Sequence, residues 1–274
     1  MKYKDLIEYA NNNYKIKDYE EEAIYFLIEE EENISRSSLI LKLNEEVKDY
    51  DLLKNKIDTY IYNNVPVQYI THSAYFYDSK FYVDQNVLIP RFDTEIVVEE
   101  AINLINRKYK NKMLRMIDVG TGSGCIAISL KKHIKNCIID AIDISNEALK
   151  IAHKNAISNN VNINFIQNDL FSGIKIKYDV IISNPPYIEA CEDVMDIVKL
   201  NEPSIALYSD DCGLYHYKKI IDQSIDILND NGTIIFEIPD NKCDALIKYA
   251  SIYYQNIYFK RDLNKQRRVL IIEK

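Results

Sequence analysis

Apolar positions recur every three or four residues through the first part of the chain, which is the spacing of one face of an α-helix. Up to residue 63 this segment contains neither glycine nor proline. The positions that carry the spacing include Leu6, Ala10, Phe26, Leu27, Leu39, Leu43, Leu53 and Ile57. We therefore predict a bundle of about four helices over residues 1–63, with Ser35 as the cap of the third helix.

The pattern changes after Pro66, because residues 67–90 alternate and are rich in Tyr, Phe and Val. Alternation with a period of two indicates strands, so this stretch predicts a β-hairpin that closes on the sequence VLIPRFDTE. We accordingly assign residues 64–92 as a β-hairpin linker that joins two domains.

From residue 93 to the C-terminus, short apolar runs alternate with helical patterns. Strands are predicted at 113–119, 137–142, 162–166, 178–183, 232–238, 254–260 and 267–273. Helices are predicted between most of the strands, and the last two strands form an antiparallel pair. This order predicts an α/β domain over residues 93–274, with a mostly parallel seven-stranded sheet covered on both faces.

The composition is that of a globular protein, with 47% hydrophobic and 28% charged residues among 274. No run approaches the roughly 18 apolar residues of a membrane helix, and the first residues lack the apolar segment of a secretory signal. Five widely spaced cysteines form no CxxC pair, which indicates neither a disulfide framework nor a zinc site. We predict a cytoplasmic protein without a metal and without a membrane partner.

The net charge of −8 is concentrated near the beginning of the chain, since residues 1–60 contain 9 Lys or Arg and 15 Asp or Glu, or −6. An acidic chain repels phosphate backbones, so we expect no direct binding to nucleic acid. The acidic segment is either a solvated helical surface or a docking face for a basic partner.

Three of the six glycines, Gly120, Gly122 and Gly124, lie between a predicted strand and a predicted helix. Glycine lets the backbone turn sharply and touch a ligand, and a helix N-terminus presents free N–H groups. Asp143 ends the next strand, where a carboxylate can accept hydrogen bonds from ribose hydroxyls. The ligand is then NAD or S-adenosylmethionine, and the spacing G-x-G-x-G modestly favours the second.

The third predicted strand of this domain is followed by Asp169 and Leu170 in the sequence NDLF. A carboxylate and a main-chain N–H at this place could pair with the amino group and a ring nitrogen of adenine. A simple turn or helix cap is the alternative interpretation of Asp169.

The fourth strand ends abruptly in Asn184-Pro185-Pro186-Tyr187. The nitrogen of an amide or aromatic amine is planar, and two acceptors that hold its N–H groups favour a tetrahedral nitrogen whose lone pair faces a methyl donor. The side-chain carbonyl of Asn184 and the main-chain carbonyl of Pro185 are candidates for these acceptors, and Tyr187 for a flat wall. Two prolines make this rim rigid before the reaction.

The sequences DVGTGSG, AIDIS, NDLF and SNPPYI resemble motifs of class I S-adenosylmethionine-dependent methyltransferases that modify amide or adenine nitrogen. The stretches PVQYI, VLIPRFDTEIVVEEAI, NEPSIAL, FEI and RRVL are similar to the HemK/PrmC family of protein-glutamine N5-methyltransferases. That family methylates the glutamine of the Gly-Gly-Gln motif in bacterial class I peptide chain release factors. The more specific signal is Pro90, Arg91, Thr94 and Glu95.

The resemblance implies a Rossmann-like class I methyltransferase domain, a helical substrate-recognition domain, and a release factor as partner. The residues it implies for S-adenosylmethionine are Gly120, Thr121, Gly122, Ser123, Gly124, Asp143, Asp169, Leu170 and Asn184. Those it implies for the glutamine are Asn184, Pro185, Pro186, Tyr187 and Leu88, with Asn184, Pro185 and Tyr187 catalytic. S-adenosylhomocysteine is the expected product.

Three other functions fit parts of the pattern. A glutamine methyltransferase for a ribosomal protein would use the same chemistry. An adenine-N6 methyltransferase for DNA or RNA shares the Asn-Pro-Pro-Tyr motif, but it needs a basic channel that the sequence does not show. A non-catalytic protein that binds an adenosyl compound would not need Asn184 beside the three glycines.

Overall fold

The computed structural model describes residues 1–14, 20–110 and 112–274. The chain divides into two compact units. The first unit comprises Met1–Ala74, Val83–Gln85 and Asp193–Glu202, and the second comprises Tyr75–Tyr82, Asn86–Glu192 and Pro203–Lys274. The domain boundaries proposed from the sequence, at residues 63/64 and 92/93, stay predictions.

Helices and short strands follow one another along the whole chain. The helices are α1 (Tyr3–Asn13), α2 (Glu21–Glu32), α3 (Arg36–Leu41), α4 (Tyr50–Asn63), α5 (Val67–Ile70), α6 (Phe92–Lys108), α7 (Cys125–His133), α8 (Asn146–Ser158), α9 (Asp196–Asn201), α10 (Ser204–Leu207), α11 (Asp210–Gly213), α12 (Tyr215–Ile227) and α13 (Cys243–Ala250). The strands are β1 (Ala74–Phe76), β2 (Ser79–Phe81), β3 (Leu114–Val119), β4 (Cys137–Asp143), β5 (Asn164–Gln167), β6 (Tyr178–Ser183), β7 (Leu228–Glu237), β8 (Asn256–Arg261) and β9 (Arg267–Glu273). Within the described residues, no helix is both long enough and apolar enough to cross a membrane.

In the first unit, the helices α1 to α4 bury most of the apolar positions that the sequence spacing indicated, although Ile40 and Leu52 of the same pattern are exposed. Leu6, Leu27 and Ile57 are fully buried in one cluster with the other inward-facing residues of these helices. The predicted cap of α3 is confirmed, because the Ser35 hydroxyl accepts a hydrogen bond from the Ser38 N–H at 3.2 Å. The prediction of a small helical bundle is therefore correct.

The hairpin is shorter than the alternation of residues 67–90 predicted. Its strands are β1 and β2, and the residues before them form the single turn α5. Pro66 explains the difference: it precedes α5, and its carbonyl accepts from the N–H groups of Tyr69 and Ile70. A proline is well suited to start a helix, since its φ is already fixed and its missing N–H is not needed there.

The second unit contains a seven-stranded sheet in the order β5-β4-β3-β6-β7-β9-β8. The neighbouring pairs from β5 to β7 are parallel, and β9 runs antiparallel to both β7 and β8. Every residue of β6 is buried, because apolar clusters cover both faces of the sheet. The predicted mostly parallel sheet and its antiparallel closing pair are both confirmed.

The strand register brings distant segments of the chain together at the carboxyl edge of this sheet. Val119 pairs with Ile142 of β4 and also with Ser183 of β6, and Ser183 pairs in turn with Phe236 of β7. The residues that leave β3, β4, β6 and β7 consequently emerge side by side. In open α/β sheets, ligands bind at this edge.

Candidate active site

The loop that follows β3 carries the three closely spaced glycines. Gly120 and Gly122 have positive φ values of 72° and 53°, and a Cβ atom at either position would have no atom of the described residues within 4 Å, apart from the glycine itself and its two chain neighbours. Gly124 differs, because its Cβ would lie 3.1 Å from Ala152 Cβ and from the Ile128 side chain. The first two glycines therefore leave open space, whereas the third allows α7 and α8 to pack closely.

Buried polar groups hold this glycine loop in place. The Thr121 hydroxyl donates to Asp118 Oδ2 at 2.7 Å, and the Ser123 carbonyl accepts from Asn155 Nδ2 at 2.9 Å. The same Asn155 side chain exchanges two hydrogen bonds with the backbone of Tyr82, next to the hairpin. The Thr121 side chain and the Ser123 main-chain carbonyl thus belong to the support of the loop.

Asp143, at the end of β4, accepts one backbone hydrogen bond on each carboxylate oxygen. Gly122 N–H lies 2.9 Å from Oδ2, and Ser145 N–H lies 2.9 Å from Oδ1. Burial raises the pKa of Asp143 above its ordinary value, although the backbone donors oppose this rise. Because a carboxylate oxygen accepts more than one hydrogen bond, both oxygens can still receive ligand hydroxyls.

A cavity of about 170 Å³ opens at this edge of the sheet. The predicted site residues that line it are Leu88, Gly120, Gly122, Asp143, Asp169, Leu170, Asn184, Pro185 and Pro186. They come from five segments of the chain that the sheet register brings together. Leu170 has a positive φ of 47°, and the Asn168 side chain donates to its carbonyl at 2.9 Å.

Four predicted site residues lie elsewhere. The cavity lining does not include Thr121, Ser123, Gly124 or Tyr187. Tyr187 packs, partly buried, against the apolar cluster on one face of the sheet, and burial raises its pKa to about 12. Its predicted role as a wall of the acceptor pocket stays a prediction.

Several residues of the lining had no clear signal in the sequence. They include Asn86, Ile142, Asn168, Ile205, His216 and Ile220. His216 Nδ1 lies 2.9 Å from the Ser209 hydroxyl, and burial lowers the pKa of the imidazole, which favours its neutral form. Ile142 and Asn168 directly adjoin predicted residues, whereas Ile205, His216 and Ile220 reach the cavity only through the fold.

The loop after β6 is fastened at several points distant in sequence. Asn184 Nδ2 donates to the Thr94 hydroxyl at 3.3 Å. The backbone of Ile188 exchanges hydrogen bonds with Leu207 and Ser209, at 3.0 and 2.9 Å. This loop is thus built from α6 and from the region before α12 as much as from β6.

Comparison with known proteins identifies the family. The family model described as Methyltransferase small domain matches residues 97–201. A Lactococcus lactis protein named Release factor glutamine methyltransferase is 40% identical over 209 residues, covering 75% of this chain and 76% of that protein. An Enterococcus faecalis protein with the same name is 33% identical over 278 residues and covers 99% of both. This chain belongs to the release factor glutamine methyltransferase family.

Membership of this family confirms the HemK/PrmC resemblance and the class I methyltransferase fold. Among solved structures, a methyltransferase from Pyrococcus furiosus has a TM-score of 0.51 at 16% identity, covering 81% of this chain and 95% of that chain. At this identity the similarity concerns the fold alone. The release factor glutamine methyltransferases, and not this solved structure, are therefore the relatives that bear on the site.

Two buried acids beside the site were not among the predicted site residues. Asp118 is the second-last residue of β3, and Glu237 is the last residue of β7; burial raises the pKa of each to about 7. Within the described part of the chain, Asp118 Oδ1 and Glu237 Oε2 have no hydrogen-bond partner. Both acids could have been noticed in the sequence, because an acid near the end of an apolar strand, at the carboxyl edge of a sheet, is unusual in a purely structural core.

The residues present fit S-adenosylmethionine, the methyl donor used by enzymes of this family. The open space over Gly120 and Gly122 allows a ligand to touch the backbone directly. Asp143 offers acceptors for a ribose diol, and Ile142 and Leu170 supply apolar surface for a planar base.

Proposed function

We propose that this chain transfers a methyl group from S-adenosylmethionine to the side-chain amide nitrogen (N5) of the glutamine in the Gly-Gly-Gln motif of a peptide chain release factor. One observation carries the proposal: Asn184 and Pro185 line the same cavity as Gly120, Gly122 and Asp143. An acceptor grip for an amide and a cradle for an adenosyl group thus share one space. The names of the relatives agree with this substrate.

Two parts of the cavity have separate tasks. The donor half consists of Gly120, Gly122, Asp143 and Asp169–Leu170; the acceptor half consists of Asn184–Pro186 and Leu88. S-adenosylmethionine, when bound, supplies an electrophilic methyl group on a sulfonium. Asp143 holds the ribose, Asp169 and the Leu170 N–H hold the adenine, and the glycine backbone lets the ligand approach closely.

The acceptor half prepares the glutamine nitrogen. The Asn184 and Pro185 carbonyl oxygens accept its two N–H groups, which orients the nitrogen and favours a lone pair directed at the methyl group. When the nitrogen gains a methyl group it loses one proton, which passes to solvent because an amide carbonyl is too weak a base to keep it. Since Pro185 is buried and Pro186 follows it, these acceptors need little reordering during the reaction.

The test is methyl transfer from labelled S-adenosylmethionine to purified candidate proteins, followed by mass mapping of the product. We expect one added methyl group on the glutamine of the release factor Gly-Gly-Gln motif, and none when that glutamine is replaced by Ala. Label on a ribosomal protein glutamine or on a nucleic-acid adenine, with none on the release factor, would overturn the proposal.

We also propose that the acidic helical segment, residues 1–63, recognises the protein substrate. Several of its acids are already paired, since Arg36 bonds Glu22 and Lys56 bonds Glu31. Others are exposed, including Glu8, Glu20, Glu46 and Asp51. An exposed acidic surface favours a basic partner and speeds encounter without adding catalytic groups.

This second proposal is tested with the full chain. A combined Glu8→Gln, Glu46→Gln and Asp51→Asn variant should raise KM for the intact release factor and leave KM for a short Gly-Gly-Gln peptide unchanged. A matched variant that neutralises the exposed Glu147, Asp226 and Asp230 of the second unit should leave both KM values unchanged. Equal effects on protein and peptide would contradict docking. We further propose that the protein is cytoplasmic and has neither a nucleic-acid partner nor a membrane partner.

A further inference from the structure

We propose that Thr94 and Glu237 are positioning residues, which form a relay that holds the Asn184 side chain with its carbonyl oxygen turned toward the acceptor half of the cavity. The inference rests on the proposed function, because it assigns the orientation of the group that holds the substrate amide. Neither residue touches the reacting atoms in this scheme, since both act through Asn184.

The first link of the relay joins α6 to the loop after β6. Asn184 Nδ2 donates to Thr94 Oγ1 at 3.3 Å. Thr94 lies in the first turn of α6 and is 3% exposed, so its hydroxyl has little access to water. A buried hydroxyl must find its partners in the protein.

The second link joins Thr94 to Glu237. Hydrogen bonding by Thr94 lowers the pKa of the Glu237 carboxyl, against the larger, opposite effect of burial. Glu237 is 2% exposed, and among the described residues its Oε2 has no hydrogen-bond partner. A buried carboxyl with so few partners destabilises a fold, which is a reason to look for a function.

The chemistry of the three groups fixes the direction of the relay. Above its pKa of about 7, Glu237 is ionised and only accepts, so the Thr94 hydroxyl donates its single proton to this carboxylate. Toward Asn184, Thr94 can then only accept, which requires the NH₂ end of the amide to face it. The carbonyl end of Asn184 is left for the cavity, and the reverse orientation would present N–H groups to the N–H groups of a substrate amide.

The sheet explains how Glu237 reaches this place. Ser183 and Phe236 are register partners in the parallel pair of β6 and β7. Asn184 directly follows Ser183, and Glu237 directly follows Phe236. The two residues therefore lie next to each other at the carboxyl edge of the sheet. The charged groups around Glu237 are Arg91, Asp93 and Arg268, and the Tyr217 hydroxyl donates to its backbone carbonyl at 2.7 Å.

The principal test compares Thr94→Val, which removes the hydroxyl at nearly constant volume, with Thr94→Ser, which keeps it. Thr94→Val should lower kcat about tenfold, the scale of one neutral hydrogen bond, with KM for S-adenosylmethionine unchanged. Thr94→Ser should retain activity within about threefold. The control is Thr233→Val, which removes another buried hydroxyl from β7, at the side of Lys108 and Tyr109. It should reduce stability and leave kcat unchanged.

A double-mutant cycle separates positioning from general structural support. If Thr94 acts through Asn184, then Thr94→Val should add less than about twofold to the loss in Asn184→Ala. Glu237→Gln should likewise add less than about twofold to the loss in Asn184→Ala. Its amide can donate to Thr94 as well as accept, so the Thr94 hydroxyl is no longer required to accept from Asn184. Losses that multiply fully in the double variants would overturn the proposal.

A readout that needs no substrate distinguishes failure of the relay from failure of the proposed function. The Asn184 side-chain NH₂ signal, assigned in an NMR spectrum by its loss in Asn184→Ala, should shift in Thr94→Val and in Glu237→Gln and should keep its position in Thr233→Val. An unchanged signal in the first two variants would refute the relay even if the wild-type chain methylates a release factor. A chain that shows the shifts but methylates no release factor would refute the proposed function and leave the relay standing.

Discussion

The donor half and the acceptor half of the cavity are built from different ranges of the sequence. In the donor half, Gly122 and Asp143 are 21 residues apart, and Thr121 and Asp118 only three. In the acceptor half, Asn184 is supported by Thr94, 90 residues away. Asn155, 32 residues from the Ser123 carbonyl that it holds, also supports the donor half, so the two halves differ in how much of their support is distant in sequence.

The loop that carries Tyr187 is also supported by a residue distant in sequence. Lys242 Nζ donates to Glu189 at 3.1 Å, to Glu192 at 3.3 Å and to the Cys212 carbonyl at 2.7 Å, so one buried cation ties this loop to α11. Changes in the donor half should therefore act on ligand affinity, and changes around the acceptor half on the rate of transfer.

The largest effect is expected from Asn184→Ala. Methyl transfer should fall at least ~10²-fold, the scale for one preorganised polar group at a reacting centre. Affinity for S-adenosylhomocysteine, measured by calorimetry, should stay nearly the same because the donor half is intact. A large loss of affinity with little loss of rate would assign Asn184 to the donor half instead.

Asp143→Ala should have the opposite signature. Affinity for S-adenosylmethionine and for S-adenosylhomocysteine should fall together by about 10- to 100-fold, since both contain the ribose and a hydrogen bond to a charged group contributes roughly 1.5–3 kcal/mol. Calorimetry on both ligands measures this, with Glu147→Ala as a control on the exposed start of α8. Unchanged affinities would place the ribose elsewhere.

Gly213→Ala tests the remote support of the acceptor half. A Cβ at Gly213 would lie 2.1 Å from the Tyr187 carbonyl oxygen and 2.4 Å from Lys242 Nζ, at a positive φ of 75°. We expect kcat to fall about tenfold, which is less than the loss of rate that misplaced reacting groups can cause. Affinity for the methyl donor should be retained. Gly173→Ala has a similar φ of 71° but no atom within 4 Å of the new Cβ. It should cost about 1 kcal/mol of stability and no activity.

Lys242→Met should have the smallest effect of the four. The variant keeps much of the buried side-chain volume and loses the cation that holds Glu189 and Glu192. Since these two acids remain partly exposed to water, we expect a change of about 1 kcal/mol in the free energy of unfolding and a decrease of a few fold in kcat. Thermal denaturation and steady-state kinetics measure both, and a loss as large as that of Asn184→Ala would contradict this ranking.

Much of the second unit followed from local patterns. The predicted strand at 178–183 matches β6, and the glycine loop and Asp143 lie at strand ends where the sequence indicated them. Such features depend on neighbouring residues: apolar runs set the strands, and glycines mark the turn. The alternation of residues 67–90 predicted a hairpin that was too long. Packing, and not only the period of the apolar residues, determines helix α5 after Pro66 and the segment before α6.

The sequence by itself determined the family, which rests on short motifs, and the order of the strands along the chain, which rests on apolar runs. The ligand contacts of the donor half stay a prediction. Only the tertiary structure decided that Tyr187 packs against the core, that His216 reaches the cavity, that Asn184 bonds Thr94 of a distant helix, and that Glu237 lies at the same sheet edge. The physical reason is the register of β6 against β7, which is set by pairing along both strands. No local pattern around Glu237 reports which residue lies beside it across the sheet.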